Sequence, residues 1–177
     1  KGKFLAVTFG PSGWRMKPSP TDFSGRLWNL SNLTNSPMIL TGHVGQITKF
    51  AFDPAERWLA TGGYDHTVRI WDLVGTNGMP DCIVLTGHVG PVKDVAFSAD
   101  GRWLVTASDD GTSRIWDVQD FRQVVPAGGG MEDDSNVVVP VGPLIPVPGA
   151  RVVFAGHPGP VSRMAISPDS KWLATRS

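Results

Sequence analysis

Short apolar runs separated by Gly, Asp and Pro turns make up most of the chain. Within 82–118, apolar runs at 82–86, 92–98, 102–108 and 113–118 alternate with polar turns. Short runs rich in Val, Ile and Trp between such turns are typical of strands joined in hairpins. Apolar and polar residues do not alternate strictly, as expected where both faces of a small sheet are covered. No segment shows the pattern of an amphipathic helix of useful length, so the chain is predicted to be all-β.

The pattern of runs and turns repeats along the chain. Residues 41–73 and 86–118 are offset by 45 positions, and 17 of the 33 aligned residues are identical. A third copy begins at Gly156-His157, and its Trp172 follows the His at the same spacing as in the other copies. A degenerate copy precedes them, because Asp22 lies six residues before Trp28. Self-similarity at this period is the signature of repeat architectures.

The order Gly-His, Trp-Leu-x-Thr and Asp-x-Thr-x-Arg-Ile-Trp-Asp in both full copies resembles the WD-repeat β-propeller family. The resemblance covers nearly the whole chain apart from two inserts. It implies four-stranded antiparallel blades packed radially about a channel, here a partial propeller of about thirteen strands. The expected division is an incomplete, degenerate blade at 1–40 with an inserted loop at 9–21, a complete blade at 41–85, a complete blade at 86–155 with an inserted loop at 119–150, and a truncated blade at 156–177.

Four polar positions recur in both full copies. They are His43, Thr61, Asp65 and Trp71, and then His88, Thr106, Asp110 and Trp116. A His, a hydroxyl and an Asp also compose a hydrolase triad, but an enzyme needs one such set and this chain repeats it. The family resemblance implies instead a buried hydrogen-bond chain within each blade. The last copy holds only His157 and Thr175 of the set, and Val7 takes the Thr position in the first.

Two groups of residues are candidates for contact with a partner. The first lies in the turns beside the Gly-His and network Asp positions, which would cluster on one face of adjacent blades: Gln46, Tyr64, His66, Pro91, Asp109 and Pro158. Varied turn residues on a fixed frame build a particular surface, although ordinary turn chemistry explains them equally well. The second is Trp14 and Arg15 in the first insert, residue types enriched at binding hot spots. Tolerated surface loops also explain both inserts.

Composition argues against other classes of function. Sixteen basic and sixteen acidic residues cancel, which disfavours nucleic-acid binding, and prolines interrupt the longest weakly polar stretch, 137–153, which disfavours a membrane span. The single Cys82 cannot form an internal disulfide, which indicates a reducing, cytoplasmic location. It has no nearby His or basic residue to lower its pKa, so a nucleophilic role is not expected. His43 and His88 lack companions at metal-ligand spacing. No helix follows the Gly-rich turns to form a phosphate site, so no cofactor is expected.

The sequence therefore predicts a scaffold that binds a protein or peptide without catalysis. Thirteen strands do not close a ring, so the missing blades must come from a longer chain or from self-association, and the stop in mid-blade favours the longer chain. The turn at 100–104 resembles repeats appended to bacterial multidomain signalling proteins. The alternative is an enzyme or small-ligand propeller that uses the channel. The inner strands supply Lys49, Lys93, Asp94 and Arg163 for such a channel, although solvent-facing strand positions also explain these residues. Lys49 aligns with Asp94, so these two opposite charges could pair.

Overall fold

The computed structural model describes residues 4–8, 23–32, 34, 36–74, 82–124 and 149–177. These residues form thirteen strands and one short helix, so the predicted all-β class is confirmed. No helix within these ranges is long and apolar enough to cross a membrane. The elements are β1 (Phe4–Thr8), β2 (Gly25–Asn29), β3 (Met38–Leu40), β4 (Ile47–Phe52), β5 (Trp58–Gly63), β6 (Val68–Asp72), β7 (Cys82–Leu85), β8 (Val92–Phe97), β9 (Trp103–Ser108), β10 (Thr112–Asp117), α1 (Val118–Val124), β11 (Val152–Ala155), β12 (Arg163–Ile166) and β13 (Leu173–Arg176).

The strands form four antiparallel sheets in chain order: the first is β1–β3, the second β4–β7, the third β8–β11 and the fourth β12–β13. Strand bounds within 82–118 agree with the predicted runs to about one residue. The four runs of that copy do not share one sheet, however, because β7 pairs with β6 of the second sheet. The third sheet correspondingly takes its outer strand from β11, beyond the insert. Each of the first three sheets therefore includes a strand from the start of the next sequence copy.

Two apolar clusters lie between neighbouring sheets. One joins Leu27 and Leu40 of the first sheet to Leu59 and Trp71 of the second. The larger one joins the second sheet to the third, and its buried members are Trp58, Ala60, Val68, Ile70, Ile83, Leu85, Val92, Val95, Leu104, Trp116, Val118 and Phe121. Removing these side chains from water is the main force that stacks one sheet on the next. Because both faces of the second sheet are covered by neighbouring sheets, its strands do not alternate strictly between apolar and polar residues.

The helix α1 corrects the expectation of a surface loop from residue 119. Val118 and Phe121 are one turn apart and both are buried, and the Phe121 ring packs edge-on against Trp58 with centroids 6.2 Å apart. A seven-residue helix is unstable by itself, so it forms here because the second sheet offers a surface to its apolar side. Arg151 pairs with Asp120 at 3.1 Å, which brings the two described ends of the insert together. The insert at 9–21 and residues 125–148 lie outside the described residues.

Candidate partner-binding face and the buried networks beneath it

A chain of hydrogen bonds runs from an indole to a carboxylate in each four-stranded sheet. In the second sheet Trp71 Nε1 donates to Thr61 Oγ1 at 3.1 Å, and His43 Nε2 lies 2.8 Å from the same hydroxyl. His43 Nδ1 in turn lies 2.8 Å from Asp65 Oδ2. The third sheet repeats the arrangement, with the corresponding distances 3.2, 2.8 and 2.8 Å. Its members are Trp116, Thr106, His88 and Asp110.

Donors and acceptors match along each chain. The Thr61 hydroxyl accepts a hydrogen bond from the indole and donates its own proton to imidazole Nε2. The ring therefore carries its proton on Nδ1 and donates it to the Asp65 carboxylate. Thr61 and Thr106 are fully buried, so neither hydroxyl is open to attack a substrate. The arrangement suits a buried structural network, in which every polar atom is satisfied.

The two carboxylates of these networks remain ionised at low pH. Burial by itself would raise their pKa, but hydrogen bonds from His43, Thr67 and the Val44 amide outweigh it and hold the pKa of Asp65 well below its usual range. The corresponding donors lower the pKa of Asp110 to about 2, against the opposing effect of burial. Burial also lowers the pKa of His88, although Asp110 acts in the opposite direction. In the third sheet these shifts favour a neutral His88 imidazole beside a charged Asp110 carboxylate.

Arginine side chains fix the Gly-His turns. Arg69 Nη2 donates to the Gly42 carbonyl at 2.6 Å, and Gly42 has a positive φ of 119°. An L side chain is strained at this φ, and a Cβ atom there would also displace the Arg69 guanidinium, whose Nη1 would lie 2.6 Å away. Arg114 holds Gly87 in the same way. The sequence reasoning missed both arginines, and it missed Thr67 and Thr112, which bind the network carboxylates; their recurrence in register is the signal that identifies them.

The networks of the outer two sheets are incomplete among the described residues. In the fourth sheet His157 Nε2 lies 2.7 Å from Thr175 Oγ1, which reproduces the inner half of the chain. In the first sheet Val7 lies opposite Arg26, just as Thr61 lies opposite Arg69. A valine thus occupies the position of the network hydroxyl there.

A polar cluster connects the second and third sheets on the face that carries the Gly-His turns. Lys93 Nζ lies 3.1 Å from Tyr64 Oη, 4.5 Å from the Tyr64 ring centroid and 3.1 Å from the Asp109 carboxylate. Backbone hydrogen bonds of 2.9 Å join Tyr64 to Gln46 and Asp109 to Pro91. The structure therefore brings together four of the predicted surface residues around a lysine. The hydrogen bond that Lys93 donates to the Tyr64 hydroxyl, together with Asp109, raises the pKa of Lys93 despite its partial burial.

Lys93 was considered as a channel residue or as an ordinary solvent-facing strand residue, and its contacts in this cluster were not predicted. A β-bulge lies between Val92 and Asp94, where β8 pairs with β9. A bulge changes the direction of the intervening side chain, which accounts for Lys93 reaching the Tyr64 turn. Sequence alignment of the copies does not show this, because the equivalent residue in the second sheet is Thr48.

The other predicted surface residues have varied positions. His66 is exposed and adopts a φ of 67°, at the position where the third sheet has Gly111 with a φ of 79°. Pro158 is exposed in the Gly-His turn of the last copy. Trp14 and Arg15 lie outside the described residues. Two exposed valines, Val44 and Val89, occupy equivalent positions directly after the network histidines.

Ionisable residues of the inner strands join neighbouring sheets. Lys49 Nζ lies 3.5 Å from Asp94 Oδ1, so the predicted ion pair is confirmed. Asp94 Oδ2 also accepts a hydrogen bond of 3.1 Å from the Met164 amide in the fourth sheet. Strands β4, β8 and β12 contain no histidine, and no cluster of metal-binding side chains occurs within the described ranges. Among the described residues, the ionisable groups of these strands thus join neighbouring sheets through an ion pair and a hydrogen bond.

Cys82 has a basic neighbour, contrary to expectation. Arg69 Nη1 lies 3.6 Å from its sulfur atom, because the register of β6 with β7 places Cys82 opposite Trp71, two residues along from the arginine. The contact between Arg69 and Cys82 depends on the pairing of two strands, so the local sequence around Cys82 does not predict it.

Comparison with protein families identifies the repeat. Residues 34–72, 81–117 and 150–177, together more than half of the chain, match the family model described as WD domain, G-beta repeat. A chain in the crystal structure of the mitotic checkpoint complex matches the fold with a TM-score of 0.65 at 17% sequence identity. The match covers 98% of this chain and 40% of that chain. At this identity the likeness shows the fold alone.

Curated relatives match shorter stretches. Protein tipD of Dictyostelium discoideum is 36% identical over 69 residues, which are 39% of this chain and 11% of the relative. Ribosome biogenesis protein erb1 of Emericella nidulans is 38% identical over 64 residues, or 36% of this chain and 6% of that protein. Protein pleiotropic regulator PRL2 of Arabidopsis thaliana is 46% identical over 35 residues, or 20% and 7%. The chain thus spans about a tenth or less of the length of these relatives.

Proposed function

The chain belongs to the WD-domain, G-beta repeat family, and from this membership we propose that it is a scaffold that binds a protein or peptide. The proposed contact surface is the face that carries the turns after β5 and β9. The observation that supports it is the cluster of Tyr64, Lys93 and Asp109, which spans two sheets through contacts of 3.1 Å. Fold membership alone does not name a partner.

The cluster has the chemistry of a contact site for polypeptide. It offers an exposed aromatic ring, a cation and a carboxylate, and the exposed Val44 and Val89 add apolar surface on the same turns. Because Lys93 is already held by two neighbours, little side-chain entropy remains to be lost on binding. We therefore expect a partner segment that packs an apolar side chain on Tyr64 and places polar groups against Lys93 and Asp109. Aromatic residues surrounded by polar groups are typical of interface hot spots.

The buried networks give this surface a fixed geometry. Asp65 follows Tyr64, and Asp110 follows Asp109, so each contact residue is adjacent to a carboxylate held by three or more hydrogen bonds. In this account the ten network residues are structural, and the chain works by binding, without catalysis or a cofactor. The balanced charge supports the absence of a nucleic-acid or anionic membrane partner, and the single cysteine supports a cytoplasmic location.

We also propose that strands from a longer chain complete the propeller, with blades divided at 40/41, 85/86 and 155/156. Two copies joined end to end would bring β12 and β13 of one copy against β1–β3 of the other. That makes five strands, whereas each complete sheet has four. The much greater length of the relatives supports a longer chain. A bacterial signalling context rests on the turn at 100–104 alone, and the relatives named above come from Dictyostelium, Emericella and Arabidopsis.

Site-specific photo-crosslinking in cells of the source organism tests the proposed face. A benzophenone amino acid replaces Gln46, which is exposed beside Tyr64, or Ala55, which is exposed beyond the opposite end of β4. The proposal predicts a discrete cross-linked protein from position 46 that is missing from position 55. Identical products from both positions, or none from position 46, would contradict it.

A further inference from the structure

The helix α1 of the third sheet covers an apolar surface that belongs to the second sheet. It follows the end of β10 that is remote from the turn at 109–111, so it lies at the opposite end of the sheets from the proposed partner face. Phe121 is 1% exposed, and its ring packs edge-on against Trp58 of β5 with centroids 6.2 Å apart. The surface around Trp58 that Phe121 covers is called the α1 site below. Phe97 and Ala150 pack against the same cluster and are only partly buried, so the cluster extends to the protein surface.

Two contacts hold α1 among the side chains described in it beyond Val118. Val118 itself belongs to the sheet, because its amide donates to the Arg102 carbonyl at 2.8 Å. The first contact is the Phe121 ring, and the second is the ion pair of Asp120 with Arg151 at 3.1 Å. The arginine side chain is 54% exposed, and ion pairs in contact with water contribute little. Since a seven-residue helix is also unstable by itself, α1 can leave this surface without unpairing any strand.

The two groups that α1 contacts are held in place without it. Trp58 lies in β5, which pairs with strands on both sides, and its amide donates to Asp53 Oδ1 at 2.6 Å. The Arg151 amide donates to the Ile115 carbonyl at 2.8 Å, beside the pairing of β10 with β11. An aromatic surface and a cation therefore keep their positions when α1 leaves.

Trp58 also carries a donor that α1 leaves unsatisfied. The indole is fully buried, yet its Nε1 has no hydrogen-bond partner among the described residues. Trp71 and Trp116, by contrast, donate to threonine hydroxyls. A buried donor without a partner is unfavourable. An occupant that offers an acceptor to the Trp58 indole would thus gain a hydrogen bond that α1 lacks.

The corresponding boundary between the first and second sheets is closed in a different way. Phe4 stands at the position equivalent to Trp58 in the register of its sheet, and its ring stacks on Phe52 of β4 with centroids 6.3 Å apart. Within the residues described there, two strands supply this aromatic contact. The ring that covers Trp58 comes instead from a helix added after the repeat, which favours a role for α1 beyond closing the core.

We propose that the α1 site binds a segment of a partner protein in which an acidic residue directly precedes an aromatic one, and that α1 is displaced as this segment binds. The aromatic side chain packs on Trp58 in place of Phe121, and the acidic side chain pairs with Arg151 in place of Asp120. Because Asp120 and Phe121 are adjacent, α1 itself is the template for this chemistry. The apparent affinity for the partner falls with the fraction of molecules in which α1 occupies the site, so α1 regulates the binding.

Emptying the α1 site makes the test direct. Phe121→Ala in the 177-residue chain removes the ring of the internal occupant, and a fluorescein-labelled peptide of residues 117–124 supplies an Asp followed by a Phe. Fluorescence anisotropy should show saturable binding to this variant, at least tenfold tighter than to the wild type, in which α1 competes. A Phe121→Ala peptide should bind at least tenfold more weakly. Phe52→Ala is the matched control, because it removes the aromatic contact of the corresponding boundary and should not increase the affinity.

A double-mutant cycle tests the contact with the arginine. In the Phe121→Ala chain, Arg151→Gln should weaken the wild-type peptide by about threefold, as expected for an exposed ion pair, and leave an Asp120→Asn peptide nearly unchanged. Circular dichroism checks that each variant is folded. If Phe121→Ala does not fold, Phe121→Leu serves as the host with a smaller expected gain, because leucine keeps most of the apolar volume.

Hydrogen exchange tests whether α1 leaves the folded wild-type chain. The amides of α1 should exchange while those of β5 stay protected, and simultaneous exchange of both would overturn the inference. Lack of binding to either host at millimolar peptide, equal gains from Phe121→Ala and Phe52→Ala, or a cycle without coupling would also overturn it. A wild-type dimer in analytical ultracentrifugation that Phe121→Ala abolishes would overturn it as well, because the occupant would then be α1 of a second copy.

Discussion

Removal of the Thr106 hydroxyl is the sharpest test of the buried networks. Thr106→Val keeps the shape of the side chain but leaves two partners without their hydrogen bonds, the Trp116 indole N–H at 3.2 Å and His88 Nε2 at 2.8 Å. An unsatisfied buried polar group costs about 1–3 kcal/mol, so two groups predict a loss of about 2–6 kcal/mol. The imidazole cannot escape this cost by moving its proton to Nε2, because it would then lose its hydrogen bond to Asp110.

Thr175→Val is the matched control, because it makes the same change at the equivalent position of the half-built network. Only His157 loses a partner there, and that residue is within reach of water, so the expected cost is about 1 kcal/mol or less. Urea titration followed by tryptophan fluorescence gives both values, provided that the slope of the unfolding free energy is unchanged. Equal costs for the two variants would refute the reasoning, since burial and full hydrogen bonding would then not distinguish the two sites.

Three further predictions concern other parts of the structure. Because folding lowers the pKa of Asp110 from 3.8 to about 2, this carboxylate alone should contribute about 2 kcal/mol to the stability that the wild type loses as the pH falls from about 5 to about 2, in addition to the contribution of Asp65. Asp110→Asn should therefore reduce the slope of that part of the curve in urea titrations, and parallel curves would contradict this expectation. His66 and Gly111 occupy equivalent positions with a positive φ, which is strained for residues other than glycine. His66→Gly should therefore raise the unfolding free energy by about 0.5–1 kcal/mol, whereas Gly111→Ala should lower it by about 1 kcal/mol. Changes of the same sign in urea titrations would contradict this expectation. Phe121→Ala should lower the unfolding free energy by about 3–5 kcal/mol, measured by thermal or urea unfolding. A decrease below about 1 kcal/mol would show that α1 does not pack on Trp58.

The repeat made much of the fold predictable. The alignment of the two copies predicts the strand positions. Because His, Thr, Asp and Trp recur at the same positions of both copies, it also identifies these four residues as one network. The side chains that sequence reasoning missed also recur, since Arg69 and Thr67 return as Arg114 and Thr112. They were overlooked because arginine and threonine are ordinary on exposed strands, and only the close approach at Gly42 shows what the arginine does.

Features that depend on non-local pairing could not be predicted in this way. The bulge that directs Lys93 towards Tyr64 follows from the register of β8 with β9, and nothing in the local pattern shows it. The helix α1 is too short for a periodic signal and depends on the surface around Trp58. The contact of Arg69 with Cys82 likewise needs the pairing of β6 with β7.

Calorimetric titration of the partner recovered by cross-linking at position 46 tests the central claim most directly. Lys93 and Arg102 each place a cation 4.5 Å from an aromatic ring, near opposite ends of β9, so Lys93→Ala and Arg102→Ala form a matched pair. The account predicts that Lys93→Ala weakens binding by about tenfold or more, equivalent to about 1.4 kcal/mol, while Arg102→Ala retains the affinity of the wild type. Equal affinities for the two variants would contradict the claim that the Tyr64–Lys93–Asp109 face binds the partner.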